Sequence, residues 1–150
     1  MTIPFIDLKR FERGFLDRWI EKVTAMSGTA SFIGGPEVAK LEATLCERLN
    51  VSHTVSCANG TDALQLALRA MGVGAGDVVL VPDVTFWATF EAVVNVGASP
   101  VTVDVDPVDG GVDLAALTKA IDDHTPKAAM IAHLYGWGSV HLKAIRQLCK

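Results

Sequence analysis

The stretch SCANGTDALQLAL, residues 56–68, reads as an extended segment that runs straight into a helix through an Asn-Gly-Thr-Asp corner. The segment Val51–Ala58, which overlaps its start, reads as a strand, and the residues after the corner, 61–72, read as a helix. A helix that begins at such a corner has amides with no partner in the turn above. Gly60 would let an anion come close to the backbone, and Thr61 and Asp62 would add outward amides and a hydroxyl at the positive end of the helix dipole. That is the chemistry of a phosphate cradle. The same residues also suit a plain helix cap, with Asn59 or Thr61 as the capping side chain.

Working outward, the pattern repeats. DVVLVP (77–82), PVTVDVD (100–106) and KAAMIAHL (127–134) read with VSHTVSCA (51–58) as four strands. Helices are predicted over 61–72, 87–97, 113–122 and 139–149. Strands apolar on both faces and separated by helices imply a mostly parallel sheet covered on both sides, an α/β architecture. Upstream, Leu8, Phe11, Phe15, Trp19, Val23 and Met26 predict one amphipathic helix capped by Asp7 and stopped at Gly28. A second helix starts at Pro36, with Glu37 in its first turn, and is expected to bury Val38, Leu41, Leu45 and Leu49.

Composition narrows the function classes. Half of the 150 residues are hydrophobic and 20% charged, enough for a substantial core, and the net charge is −4. An acidic chain gives no electrostatic reason to bind nucleic acid or an anionic membrane. Cys46, Cys57 and Cys149 are widely spaced, which suits a reducing cytosol better than a disulfide framework or a zinc site. Cys57 is expected to be buried at its strand end. The charged start of the chain is unlike a signal peptide, and no apolar run reaches membrane length.

In parallel sheets ligands gather where strands turn into helices, so four corners matter. The first is CANGTDA (57–63). The second, VPDVTFWAT (81–89), brings Phe86 and Trp87, an aromatic face for a planar ring or packing for the next helix. The third, with Asp104, Asp106, Asp109 and Asp113, lacks the spacing of a calcium loop and reads as a turn before a helix capped by Asp113. The fourth places His133, Tyr135 and Trp137 around Gly136; His53, His124, His133 and His141 show no metal-binding spacing.

The ordered blocks PFIDLKR, FIGGPEVAKLE, CANGTDALQLAL, VPDVTFWAT, GASPVTVDVDP and AHLYG resemble the amino-terminal part of the DegT/StrS-type sugar aminotransferases, fold-type I enzymes that use pyridoxal 5'-phosphate (PLP). The resemblance spans essentially the whole chain. It implies that Gly60, Thr61 and Asp62 bind the cofactor phosphate, that Phe86 stacks on the pyridine ring, and that Trp87 serves packing. It further implies an amino donor, commonly glutamate, a nucleotide-linked keto-sugar as acceptor, a role in surface polysaccharide or secondary-metabolite biosynthesis, and a homodimer with sites at the subunit interface. The family's pyridine-pairing aspartate and Schiff-base lysine have no match among these residues: Lys9, Lys22, Lys40, Lys119, Lys127, Lys143 and Lys150 all stand elsewhere. Residues 1–150 therefore read as the front part of the PLP-binding large domain of a longer enzyme, inactive alone. The alternative is a non-catalytic module that binds PLP or another phosphate.

Overall fold

The computed structural model describes residues 3–149, so Lys150 lies outside the described residues. The chain divides into two compact units, Met1–Ser56 and Cys57–Lys150.

In the first unit, helix α1 spans Phe15–Thr29 and α2 spans Pro36–Leu49. The periodic pattern from Leu8 does not become one helix. Gly14 sits at φ 77°, a left-handed conformation that interrupts right-handed winding, and α1 begins only after it. Asp7 caps no helix; its carboxylate accepts the Lys9 amide in a local turn at 3.0 Å. Nor does Gly28 stop α1, which runs one residue further and ends on left-handed Ala30. Helix α2 starts at Pro36 as expected, yet Leu41, Leu45 and Leu49 are exposed and Val38 is only half-buried, so the expected buried face is not buried.

Val51–Ala58 also departs from expectation, because it forms no strand. A strand is defined by its ladder partner, and this segment instead bonds to α2. The Ser56 amide and hydroxyl both donate to Glu42 Oε1 at 2.8 Å, and Thr54 Oγ1 donates to the Glu42 carbonyl at 2.7 Å. The Ser56 amide, then its hydroxyl, hold the Glu42 carboxyl below its usual range.

The second unit is a layered α/β unit. Helix α3 (Gly60–Ala70) leads to β1 (Val78–Pro82), α4 (Ala88–Asn95), β2 (Ser99–Val103), α5 (Leu114–His124), β3 (Ala128–Ala129) and α6 (Leu142–Leu148). The strands are parallel in the order β2-β1-β3, with Val78 opposite Ser99 and Leu80 opposite Ala129. Strand alternation sends Val79 and Val81 into a cluster with Leu68, Ala92 and Val93, while Leu80 joins Val103, Val112, Leu117 and Ile145. Helices α3 and α4 thus cover one face and α5 and α6 the other. Each fully buried valine or leucine in these clusters contributes about 1.5–3 kcal/mol.

Strand β3 is much shorter than the predicted 127–134. Its last rung is the Met130 amide to the Leu80 carbonyl, 2.8 Å. The next rung would need an amide at residue 82, and Pro82 has none. Residues 131–134 are thereby released from the ladder. At the other end of the sheet Lys127 Nζ ties the turn before β1, donating to the Gly72 carbonyl (2.6 Å) and Asp77 (3.1 Å).

Candidate functional site

The strand order dictates where a site should form. From β1 the chain crosses to β2 on one side, then returns past β1 to β3 on the other, so β1 and β3 flank a topological switch point. Outside the carboxyl ends of these two strands lies a cleft of about 470 Å³ lined by Gly60, Thr61, Thr85, Phe86, Thr89 and the segment Met130–Leu134 that leaves the ladder. The corner immediately after β2, residues 104–113, is not among the lining residues; β2 lies on the far side of β1.

At the start of α3 the Asn59 side chain accepts the Asp62 amide, and the Ala63 amide bonds the Asn59 carbonyl at 3.1 Å. Among the described residues, the Gly60 and Thr61 amides have no acceptor in the chain. A Cβ added at Gly60 would meet nothing within 4 Å, so the fold itself makes no demand for glycine there; its bare side borders the cleft. The expectation of a free Asp62 amide is corrected: that amide is spent on the cap, and Asp62 borders a separate hollow with Cys57 and Arg69. Cys57 is exposed rather than buried, with its thiol donating to the Asn59 carbonyl.

Phe86 projects from the end of the β1 corner with 72% of its surface exposed while lining the cleft. Trp87 does not pack into the core. It is 70% exposed and stacks on Phe90, ring centroids 6.4 Å apart. Also lining the cleft, Thr85 and Thr89 bring their hydroxyls together at 2.9 Å. These two threonines were missed in the sequence, although TFWAT carries them four residues apart, the spacing of one helical turn. His133 and Leu134 close the rim, whereas Tyr135 and Trp137 are exposed outside it.

The third corner is turn chemistry. Asp104 accepts the Val105 amide (2.8 Å), Asp106 the Val108 amide (2.7 Å), and Asp113 caps α5 through the Ala116 amide (2.7 Å). Asp109 accepts the amides of Gly111 and Val140, both at 2.7 Å, which hold its carboxyl below the usual range, Val140 most strongly. A Cβ on Gly111 would come within 2.6 Å of Ser139, so this corner is packed tightly on the segment after the cleft rim. Among the described residues no group of three or more His, Cys, Asp or Glu is arranged to hold a metal ion.

The sequence pattern of the DegT/DnrJ/EryC1/StrS aminotransferase family matches residues 17–150. The chain belongs to this family. Relatives within the DegT/DnrJ/EryC1/StrS family include a UDP-N-acetyl-3-dehydro-alpha-D-glucosamine 3-aminotransferase of Acidithiobacillus ferrooxidans, 45% identical over 90% of this chain and 36% of the relative. A UDP-2-acetamido-2-deoxy-3-oxo-D-glucuronate aminotransferase of Pseudomonas aeruginosa is 42% identical over 89% of this chain and 37% of the relative. The chain thus spans little more than a third of the length of these curated relatives. Among solved structures, a family aminotransferase from Brucella abortus superposes with a TM-score of 0.83 at 36% identity, covering 97% of this chain and 41% of that one. NtdA from Bacillus subtilis, solved with bound cofactor PMP, superposes with a TM-score of 0.85 at 29% identity, covering 98% of this chain and 34% of that one. The α/β architecture read from the sequence is therefore that of these aminotransferases. No helix among the described residues is long and apolar enough to cross a membrane.

Proposed function

We propose that this chain forms the phosphate-binding and ring-stacking side of the cofactor site in a PLP-dependent aminotransferase, as the amino-terminal part of its large domain. The observation that carries the reading is the convergence on one cleft of two unclaimed helix-start amides, Gly60 and Thr61, with the exposed Phe86 ring. The fit to a phosphorylated pyridine rests on that chemistry. Amides at a positive helix end suit a phosphate, the bare side of Gly60 leaves room for it, and an aromatic face suits a flat ring. In this reading Gly60 and Thr61 donate to the phosphate, Phe86 covers one face of the ring and excludes water from it, and Asp62 acts through Asn59 to keep the corner in shape. When bound, PLP supplies the electron sink for exchange of the amino group. The resemblance assigns the pyridine-pairing aspartate to the strand that would follow α6 and the Schiff-base lysine to a position beyond that strand.

The substrates belong to the same proposal: glutamate as amino donor and a nucleotide-linked keto-sugar as acceptor, in surface polysaccharide or secondary-metabolite biosynthesis. The names of the A. ferrooxidans and P. aeruginosa relatives, both UDP-sugar aminotransferases, support the acceptor class. A cytosolic homodimer completes the reading, supported by the apolar exposure of Trp19, which is 54% exposed, and of Phe11, which stacks on the half-buried Phe15.

The test uses the protein produced from its native gene. Its intact mass should far exceed the 15.9 kDa of this chain, and the protein should retain PLP through dialysis, fix it with borohydride, and transfer an amine from glutamate to a UDP-linked keto-sugar. A native mass of 15.9 kDa without retained cofactor would overturn the enzyme reading in favour of a non-catalytic module.

A further inference from the structure

The polar floor of the cleft contains a group that the phosphate cradle and the aromatic face do not use. Thr89 is only 7% exposed, on the first turn of α4, and its hydroxyl meets that of Thr85 at 2.9 Å; both residues line the cleft. Two hydroxyls carry two protons, and one is consumed in the bond between them. Among the described residues neither hydroxyl has a further acceptor, although other helical threonines here bond back to carbonyls, as Thr118 does to Leu114 at 2.8 Å. Leaving the second proton on the deeply buried Thr89 would strand a donor away from water, which is costly. The favoured arrangement has Thr89 donating to Thr85, so that the half-buried Thr85 keeps its own proton for the cleft.

We propose that the Thr85–Thr89 pair is a further ligand contact, in which Thr85 donates to an acceptor oxygen of the phosphorylated pyridine cofactor and Thr89 is the positioning residue that orients it. The proposal rests on the reading of the cleft given above. Thr85 immediately precedes Phe86, so the donor and the stacking face belong to one rigid corner, the strand end and the first turn of α4. The acceptor is either a phosphate oxygen or the phenolic oxygen of the ring.

The experiment is calorimetric titration of the full-length protein with pyridoxamine 5'-phosphate, which needs no lysine linkage to bind. Inorganic phosphate serves as a competitor. Thr85→Val, which replaces the hydroxyl by a methyl group of similar size, should weaken binding about tenfold. Thr85→Ser should restore affinity to within about threefold of the parent, and Thr89→Val should cause an intermediate loss. If Thr85→Val also weakens inorganic phosphate, the acceptor is a phosphate oxygen; if only pyridoxamine 5'-phosphate is affected, it is the phenolic oxygen. Thermal melting of each variant controls for folding, and Thr85→Ala replaces Thr85→Val should the latter melt early. Parent-like affinity in a folded Thr85→Val or Thr85→Ala protein overturns the proposal. Gly60→Val separates the two levels: if it too binds like the parent, the cleft reading itself fails, whereas if it binds poorly only the threonine contact is lost.

Discussion

Asn59 and Asp62 hold each other reciprocally across the first turn of α3. Asn59 Oδ1 accepts the Asp62 amide at 2.9 Å, and Asn59 Nδ2 donates to Asp62 Oδ2 at 3.2 Å. This cap uses up one helix-start amide and leaves those of Gly60 and Thr61 facing a cleft. The pair therefore decides which amides are available to a ligand, and neither side chain needs to touch that ligand.

Removing the cap separates these roles. Asn59→Ala should cost about 1 kcal/mol of stability, as loss of a capping side chain does. It should also weaken pyridoxamine 5'-phosphate binding several-fold through a looser corner. Denaturant unfolding and calorimetry measure the two effects, and unchanged stability would show that the cap contributes little here.

Gly60→Val tests the bare backbone. Since a Cβ there meets nothing within 4 Å, stability should change by no more than about 0.5 kcal/mol. Gly60 lines the cleft, so a larger side chain there should crowd a phosphate held by the helix-start amides, and cofactor affinity should fall by at least about tenfold. A large loss of stability instead would mean that the glycine serves the fold.

Phe86→Ala should likewise leave folding almost intact, because most of the ring is exposed. Aromatic stacking is worth about 0.5–1.5 kcal/mol beyond burial, so the loss of affinity should be about three- to tenfold. Phe86→Tyr should retain most of it. Equal binding by the alanine and tyrosine variants would argue against a stacking role.

The Asp109 clamp predicts a pH dependence. Its carboxyl is held low chiefly by the Val140 amide and then by that of Gly111, with smaller help from His141 and Ser139. The ionised form is therefore favoured in the folded state, and its contribution is present above the unfolded-state value of about 3.9 and lost as pH falls through the lower folded value. In thermal melts, the stability gap between the parent and Asp109→Asn should be constant near neutrality and close only below about pH 4. A gap that does not move with pH would count against the clamp.

Much of the α/β unit was legible from residues alone, because burial on both faces forces apolar runs and helix periodicity to alternate. The runs 77–82 and 100–106 and the four helices predicted over 61–72, 87–97, 113–122 and 139–149 match observed elements, with ends shifted by a few residues. Asp113 was identified as a cap from its side-chain chemistry, which acts over three residues and needs no distant partner. The failures lie where a long-range partner or a single backbone angle decides. Val51–Ala58 has strand-forming side chains but bonds to Glu42, Gly14 breaks a periodic pattern, and Pro82 ends the ladder that 131–134 would have continued.

The sequence by itself determined the local chemistry of this protein: a capped Asn-Gly-Thr-Asp corner, an aromatic at a strand end, and the order of elements. Only the tertiary structure decided which of those features share a site. The strand order β2-β1-β3 puts the corners after β1 and β3 beside the start of α3 and sends the aspartate-rich corner after β2 to the far side. Spatial order in a sheet is set by which strands exchange hydrogen bonds, and for strands joined through covering helices no short stretch of sequence encodes that choice. Thr85 and Thr89 likewise become a pair only where the turn into α4 brings their hydroxyls together in the cleft.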